Sequence, residues 1–274
     1  MDLNVKLERM YIDSHCHLTH NRLLNKGAQA DIVHNAASAG VSGMMTISCQ
    51  IRGDFPAVLK TAQSFDNVWC TVGTHPHDAG DEAERAVTQE ELVALALSDP
   101  NIVGIGESGL DYFYKNAPVE DQKESFRKHI RACIETDLPL VVHARDADED
   151  IMQILKEEGA GKGLKGVMHC FSSSPKMGFE ALDFGFYISF SGIVTFKSAA
   201  ELQGFAKEVP LDRILIETDA PFLAPEPHRK EINEPALVVH TAQKVADLKG
   251  ISAEVIAQNS KDNFFRLFDK AKAV

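Results

Sequence analysis

Eight short apolar runs, each followed by a stretch of helical periodicity, set the limits on what this chain can fold into. The runs are MYIDSHCH (10–17), GMMTISC (43–49), NVWCTVGTH (67–75), IVGIGES (102–108), LPLVVHAR (138–145), GVMHCF (166–171), FYISFSG (186–192) and ILIETDA (214–220). Most are apolar nearly throughout, as strands covered on both faces should be. Between them, apolar residues recur at helical spacing: Ile32, Val33, Ala36 and Ala37 before Gly40; Phe55, Val58, Leu59 and Ala62; Phe126, Ile130, Cys133 and Ile134; Ile151, Ile154 and Leu155. Helix starts are marked by Thr88-x-x-Glu91 and Ser198-x-x-Glu201, both capping boxes, and by Ser174-Pro175. Asn233-Glu234-Pro235 opens a further helix, and Ser252 opens the last, whose Phe264, Phe265 and Phe268 are expected to close the core. Strict alternation repeated eight times predicts an α/β fold of (β/α)8 TIM-barrel type, with residues 1–274 as a single domain. A doubly wound open sheet would carry a glycine-rich turn after its first strand, where this chain has HLTHNRLLNKG.

The 274 residues suffice for a core without disulfide or metal staples, and no apolar stretch has the length of a membrane span. The first residues lack the basic and apolar regions of a secretory signal, so a cytoplasmic location is expected, with no obligate protein partner evident. Five cysteines without a Cys-x-x-Cys pair argue against a disulfide framework. Cys16 and Cys170 are expected to face away from the neighbouring histidines as small buried groups. A net charge of −12 excludes a broad phosphate-neutralising surface, so a nucleic-acid partner would be held locally.

Barrel enzymes carry their chemistry at the C-terminal ends of strands. His15 and His17 end the first strand, Glu107 the fourth, His143 the fifth, His169 the sixth and Asp219 the eighth. Period-two alternation places His15 with His17, Glu107 with Val103 and Ile105, His143 with Val141, and His169 with Val167. Four imidazoles and two carboxylates exceed one tetrahedral site with an open position and suit two divalent ions. Strand order makes Glu107 the bridge, with His15, His17 and Asp219 on one ion and His143 and His169 on the other. Such ligands admit Zn, Mn, Co, Ni or Mg. Asp219 is a candidate proton acceptor beside Glu107. His75, in the loop after the third strand with His77, is a candidate phosphate contact. Asp13 is expected to orient a histidine, Arg145 to face away from His143 as a packing charge, and Tyr112 and Phe222 to pack at the rim.

Taken in order, DSHCHL (13–18), GTHPH (73–77), GESGLDY (106–112), PLVVHARDA (139–147), HCFSSS (169–174), YISFSGIVTFK (187–197), ETDAPFLAP (217–225) and NEPA (233–236) resemble the TatD family of metal-dependent deoxyribonucleases, within the amidohydrolase-like barrels. The resemblance implies that the six rim residues match the family's metal ligands. It also implies phosphodiester hydrolysis, often 3′ to 5′ on single-stranded DNA ends, with D-aminoacyl-tRNA deacylation as another activity of the family. Arg229 and Asn233 match the family pattern, which makes Arg229 a candidate substrate contact. Ser173 stands where the family has glycine, Lys230 replaces a glycine and Glu231 replaces a lysine, which would weaken a phosphate grip. The alternatives are a hydrolase of another ester, lactone or amide, and a metal-free scaffold. Glutamate at 107, where several lactonase-type relatives use a modified lysine, favours the nuclease branch.

Overall fold

The computed structural model describes residues 10–272. Eight strands, β1 (Tyr11–Cys16), β2 (Val41–Thr46), β3 (Val68–Val72), β4 (Ile102–Asp111), β5 (Leu140–Arg145), β6 (Gly166–Met168), β7 (Tyr187–Phe190) and β8 (Ile214–Ile216), form one parallel sheet in chain order. Just past β8 the sheet meets its own first strand. A parallel bridge joins Cys16 to Ala220, the His17 amide donates to the Ala220 carbonyl (2.8 Å) and the Asp219 amide to that of His15 (2.9 Å). This is the (β/α)8 barrel expected from the alternation.

Each strand contributes an apolar side chain to the barrel interior: Ile12, Met45, Trp69, Val103, Val141, Val167, Tyr187 and Leu215. Phe264 and Leu267 of the helix Ala253–Leu267, with Phe268 just after it, pack on these residues, so the terminal phenylalanines do close the core. The outward strand residues, among them Val72, Ile105, Val142, Ile188 and Ile216, pack with the surrounding helices. Burial on both faces is the reason the strands read as continuous apolar runs. Among the described residues no helix is long and apolar enough to cross a membrane.

Three local expectations are revised. β6 and β8 stop at Met168 and Ile216, because the residues beyond them leave the ladder to turn into the rim. Val103 and Ile105 do not share a face. The β3–β4 register shifts between Ile102 and Gly104, and the β4–β5 register between Ile105 and Ser108, so Ile105 belongs to the outer layer. Thr88 and Ser174 cap their helices by accepting from the amides of Glu91 and Met177, but Ser198 caps nothing. The Ala199 amide closes a turn onto the Phe196 carbonyl, and the helix starts at Ala200.

Candidate metal centre

The six rim residues converge. Glu107 lies at the centre, its two carboxylate oxygens turned toward different partners. Oε2 is 3.3 Å from His15 Nε2, whereas Oε1 is 2.7 Å from His143 Nδ1, 2.6 Å from His169 Nε2 and 3.5 Å from His75 Nε2. Asp219 Oδ1 faces the other side of His15, at 3.8 Å from its Nε2 and 3.3 Å from His17 Nε2. The rings of His15 and His169 stack with centroids 3.9 Å apart. Among the described residues, ligand atoms within 4.8 Å of one another form four groups: His15, Glu107 and His169; His15, His17 and Asp219; His17, Cys49 and Glu107; His75, Glu107 and His143. Glu107 belongs to three of them.

The chemistry of this donor set suits a divalent cation. Both ring nitrogens of His15 are buried without a hydrogen-bond partner, although buried polar atoms are nearly always paired. Burial by itself would raise the Glu107 carboxyl, yet His169, His75 and His15, with the hydrogen bond from His143, hold it well below the ordinary carboxylate range. Burial works against protonation of His169, but Glu107 and Glu217 raise it well above the usual imidazole value. The cluster is therefore a sink for positive charge, filled by protons or by metal in competition. His75 is different: burial dominates and pushes it down to about 4, leaving it neutral. Its loop is anchored from behind by His129, which accepts from the Thr74 amide (3.0 Å) and hydrogen-bonds the Ser125 carbonyl through Nδ1 (2.7 Å).

The residues that orient the histidines are not those expected. Asp13 accepts from the Thr218 amide (2.9 Å), the Thr218 hydroxyl (2.6 Å) and the His15 amide (3.3 Å), so it ties β1 to the chain beyond β8 and touches no imidazole nitrogen. Burial pushes its carboxyl up to about 8. Ring orientation falls instead to Glu217, whose Oε1 is 3.2 Å from His169 Nδ1, and to Asp111. Asp111 Oδ2 lies 3.2 Å from His143 Nε2 and 2.9 Å from His77 Nε2, and its Oδ1 accepts from the amides of Phe113 (3.0 Å) and Tyr114 (2.9 Å). Burial opposes the charge on Asp111, but these bonds keep its carboxyl below the usual range. A sequence signal existed, since Asp111 stands in the quoted GESGLDY segment four residues after Glu107.

The cluster opens into a cleft of about 730 Å³. His75, His77, Phe222 and Cys49 line it, as do two residues read otherwise from sequence, Cys170 and Arg145. Cys170 lies beyond the end of β6 in a left-handed conformation (φ 42°), so its thiol reaches the cleft and sits 3.1 Å from Ser191 Oγ. Tyr112 packs as expected, donating to Asp150 Oδ2 (2.6 Å). Arg229 does not join the cluster: its guanidinium lies 3.5 Å from the centroid of Phe196, outside the residues lining the cleft. Glu231 pairs with His228 (2.8 Å), and Asn233 is buried, donating to the carbonyls of Thr218 and Phe222. Ser173 lines a neighbouring acidic hollow of about 650 Å³.

A histidine–carboxylate cluster at the C-terminal rim of a (β/α)8 barrel defines the class of metal-dependent hydrolases. Comparison with known proteins narrows the class. The sequence model of the family described as TatD related DNase matches residues 12–269, and the chain belongs to this TatD family. It is 41% identical to the uncharacterized metal-dependent hydrolase YcfH of Escherichia coli K12, over 94% of this chain and 95% of that protein. It is 33% identical to the 3′-5′ ssDNA/RNA exonuclease TatD of Escherichia fergusonii, over 87% and 92% of the two chains. Among solved structures, the TatD homologue YjjV of Escherichia coli K12 superposes with a TM-score of 0.86 at 25% identity, covering 96% of this chain and 99% of that one.

Proposed function

We propose that the protein is a two-metal phosphodiesterase that shortens single-stranded nucleic acid from its 3′ end, acting in the cytoplasm on a strand held locally at the rim. The observation that carries this reading is the divided carboxylate of Glu107, with one oxygen toward His15 and the other toward His143 and His169. That disposition would let Glu107 bridge two ions, of which His17 and Asp219 would help to hold the first. Divalent cations bound there would acidify water and neutralise charge on the phosphoryl oxygens. Asp219 has an ionised carboxylate reaching toward the cleft and is the proton acceptor. Neutral His75 serves as a hydrogen-bond donor to a phosphate oxygen. The exonuclease name of the Escherichia fergusonii relative supports this substrate class.

The test is a substrate panel. Protein loaded in turn with Mg, Mn, Co, Ni or Zn is given end-labelled DNA and RNA strands with blocked 3′ or 5′ ends, alongside D-aminoacyl-tRNA, lactones and aryl phosphates. Stepwise shortening from the free 3′ end is expected. Turnover of another ester or amide, with no nucleic acid cleaved under any metal, would overturn the proposal.

Asp111 offers a narrower prediction. Asp111→Asn keeps Oδ1 for the Phe113 and Tyr114 amides and turns an NH2 group toward His143 and His77. Metal affinity, measured by chelator competition, should fall roughly 10–100-fold while the melting temperature of the metal-free protein changes little. Unchanged metal affinity would remove Asp111 from this role.

A further inference from the structure

The two most exposed aromatic rings near the site stand on the turn that Asp111 holds. Phe113 is 56% and Tyr114 53% exposed, well above Phe222 at 37%. The rings meet edge to face, with centroids 4.9 Å apart and planes at 89°. The Arg145 guanidinium fits the corner between them, 4.1 Å from the centroid of Phe113 and 4.6 Å from that of Tyr114. No carboxylate pairs with Arg145 among the described residues, although acidic side chains crowd the adjoining hollow that it also lines. Tyr114 and Arg145 line the same cleft as Glu107 and His143, and the Tyr114 ring meets that of His77 edge to face at 5.3 Å.

An unpaired guanidinium held by two aromatic rings is weakly hydrated and fixed in place, which suits it to a phosphate oxygen more than to solvent. Large exposed rings beside a cation also form the arrangement on which unpaired bases stack. We infer that Phe113, Tyr114 and Arg145 form a nucleotide subsite beside the reactive phosphate. One base of a single strand stacks on Phe113, and Arg145 binds a backbone phosphate. This rests on the phosphodiesterase reading and deepens it: a base inside a duplex has no free face, so the subsite selects single strands. Asp111 ties the subsite to the metal cluster, since one carboxylate orients His143 through Oδ2 and the Phe113–Tyr114 turn through Oδ1. β5 supplies the cation of this subsite and the turn after β4 supplies its rings.

The experiment is equilibrium binding of metal-loaded full-length protein to a short single strand with hydrolysis-resistant methylene-phosphonate linkages. An abasic residue is placed at each terminal position in turn, and cleavage of the ordinary strand is followed in parallel. The wild-type protein should lose roughly tenfold in affinity when one particular base is missing, and Phe113→Ala should bind the intact and abasic strands equally. Arg145→Gln should weaken both strands in parallel and reduce the salt dependence by about one phosphate contact. A Phe113→Ala protein that keeps the wild-type preference, a wild type with no preference at any position, or an Arg145→Gln protein with unchanged salt dependence would each overturn the subsite. Base-dependent binding without cleavage under any metal would support the subsite and remove the nuclease reading. Cleavage unaffected by either substitution would do the reverse.

Discussion

Glu107→Ala is expected to lower hydrolysis roughly a thousandfold or more and to reduce bound metal in the purified protein. Loss of several kcal/mol of charge stabilisation at a metal-assisted transition state corresponds to a factor of that order. The reason is geometric: among the described residues Asp219, Asp111 and Glu217 each reach one of His15, His143 and His169, and only Glu107 reaches all of His15, His75, His143 and His169, so its removal leaves four imidazoles with no shared anion. Glu107→Gln separates charge from shape, because it fills the same space without the negative charge. Metal analysis by mass spectrometry and kcat/KM on the best substrate are the measurements. Both variants should fail alike if the bridge is electrostatic. Wild-type metal content and turnover in Glu107→Gln would end the bridging assignment.

The barrel was legible in the sequence because its strands are covered on both faces, which writes apolar runs into the chain that no surface strand would need. Convergence of the six rim residues was legible for a related reason: in this fold, strand ends share one rim whatever the details between them. What could not be read lies where period-two counting loses its physical basis. In β4 two register shifts intervene between Val103 and Asp111, so parity no longer reports which way Ile105 faces. In β5, Leu140, Val141 and Val142 are buried but His143, Ala144 and Arg145 are partly exposed. The strand outruns the layers that cover it, and both of its faces open toward the cleft. Alternation therefore assigns Arg145 to packing although it lines the cleft with His143. Asp13 differs from Glu217 and Asp111 for another reason. Counting identified an inward carboxylate but not what it would meet, and Thr218 from across the barrel seam reaches it first.

The close approach of β4 to β5 depends on glycine, and the second large effect is expected there. Gly109 pairs with His143 across β4 and β5, and a Cβ added to it would lie 1.9 Å from the His143 carbonyl oxygen and 2.9 Å from its carbonyl carbon. Neither is the end of a flexible side chain, so relief requires the two strands to part. Gly106 faces the same limit, its Cβ falling 2.5 Å from the Val141 carbonyl oxygen. Close backbone approach at these two points brings Glu107 and His143 within 2.7 Å of each other. Gly109→Ala should therefore cost about 3 kcal/mol or more from overpacking and backbone strain, and should lose metal as the two ligands separate. Gly161→Ala is the control, because Gly161 also has a positive φ (72°) but nothing lies within 4 Å of its added Cβ. It should cost roughly 1–2 kcal/mol and keep its metal. Urea denaturation with metal analysis distinguishes them. Equal stability loss in both variants, with full metal in Gly109→Ala, would show that the strand contact does not set the spacing of the site. If the variants divide as expected, the absence of a Cβ at 109 is as much a determinant of the metal centre as the carboxylate at 107.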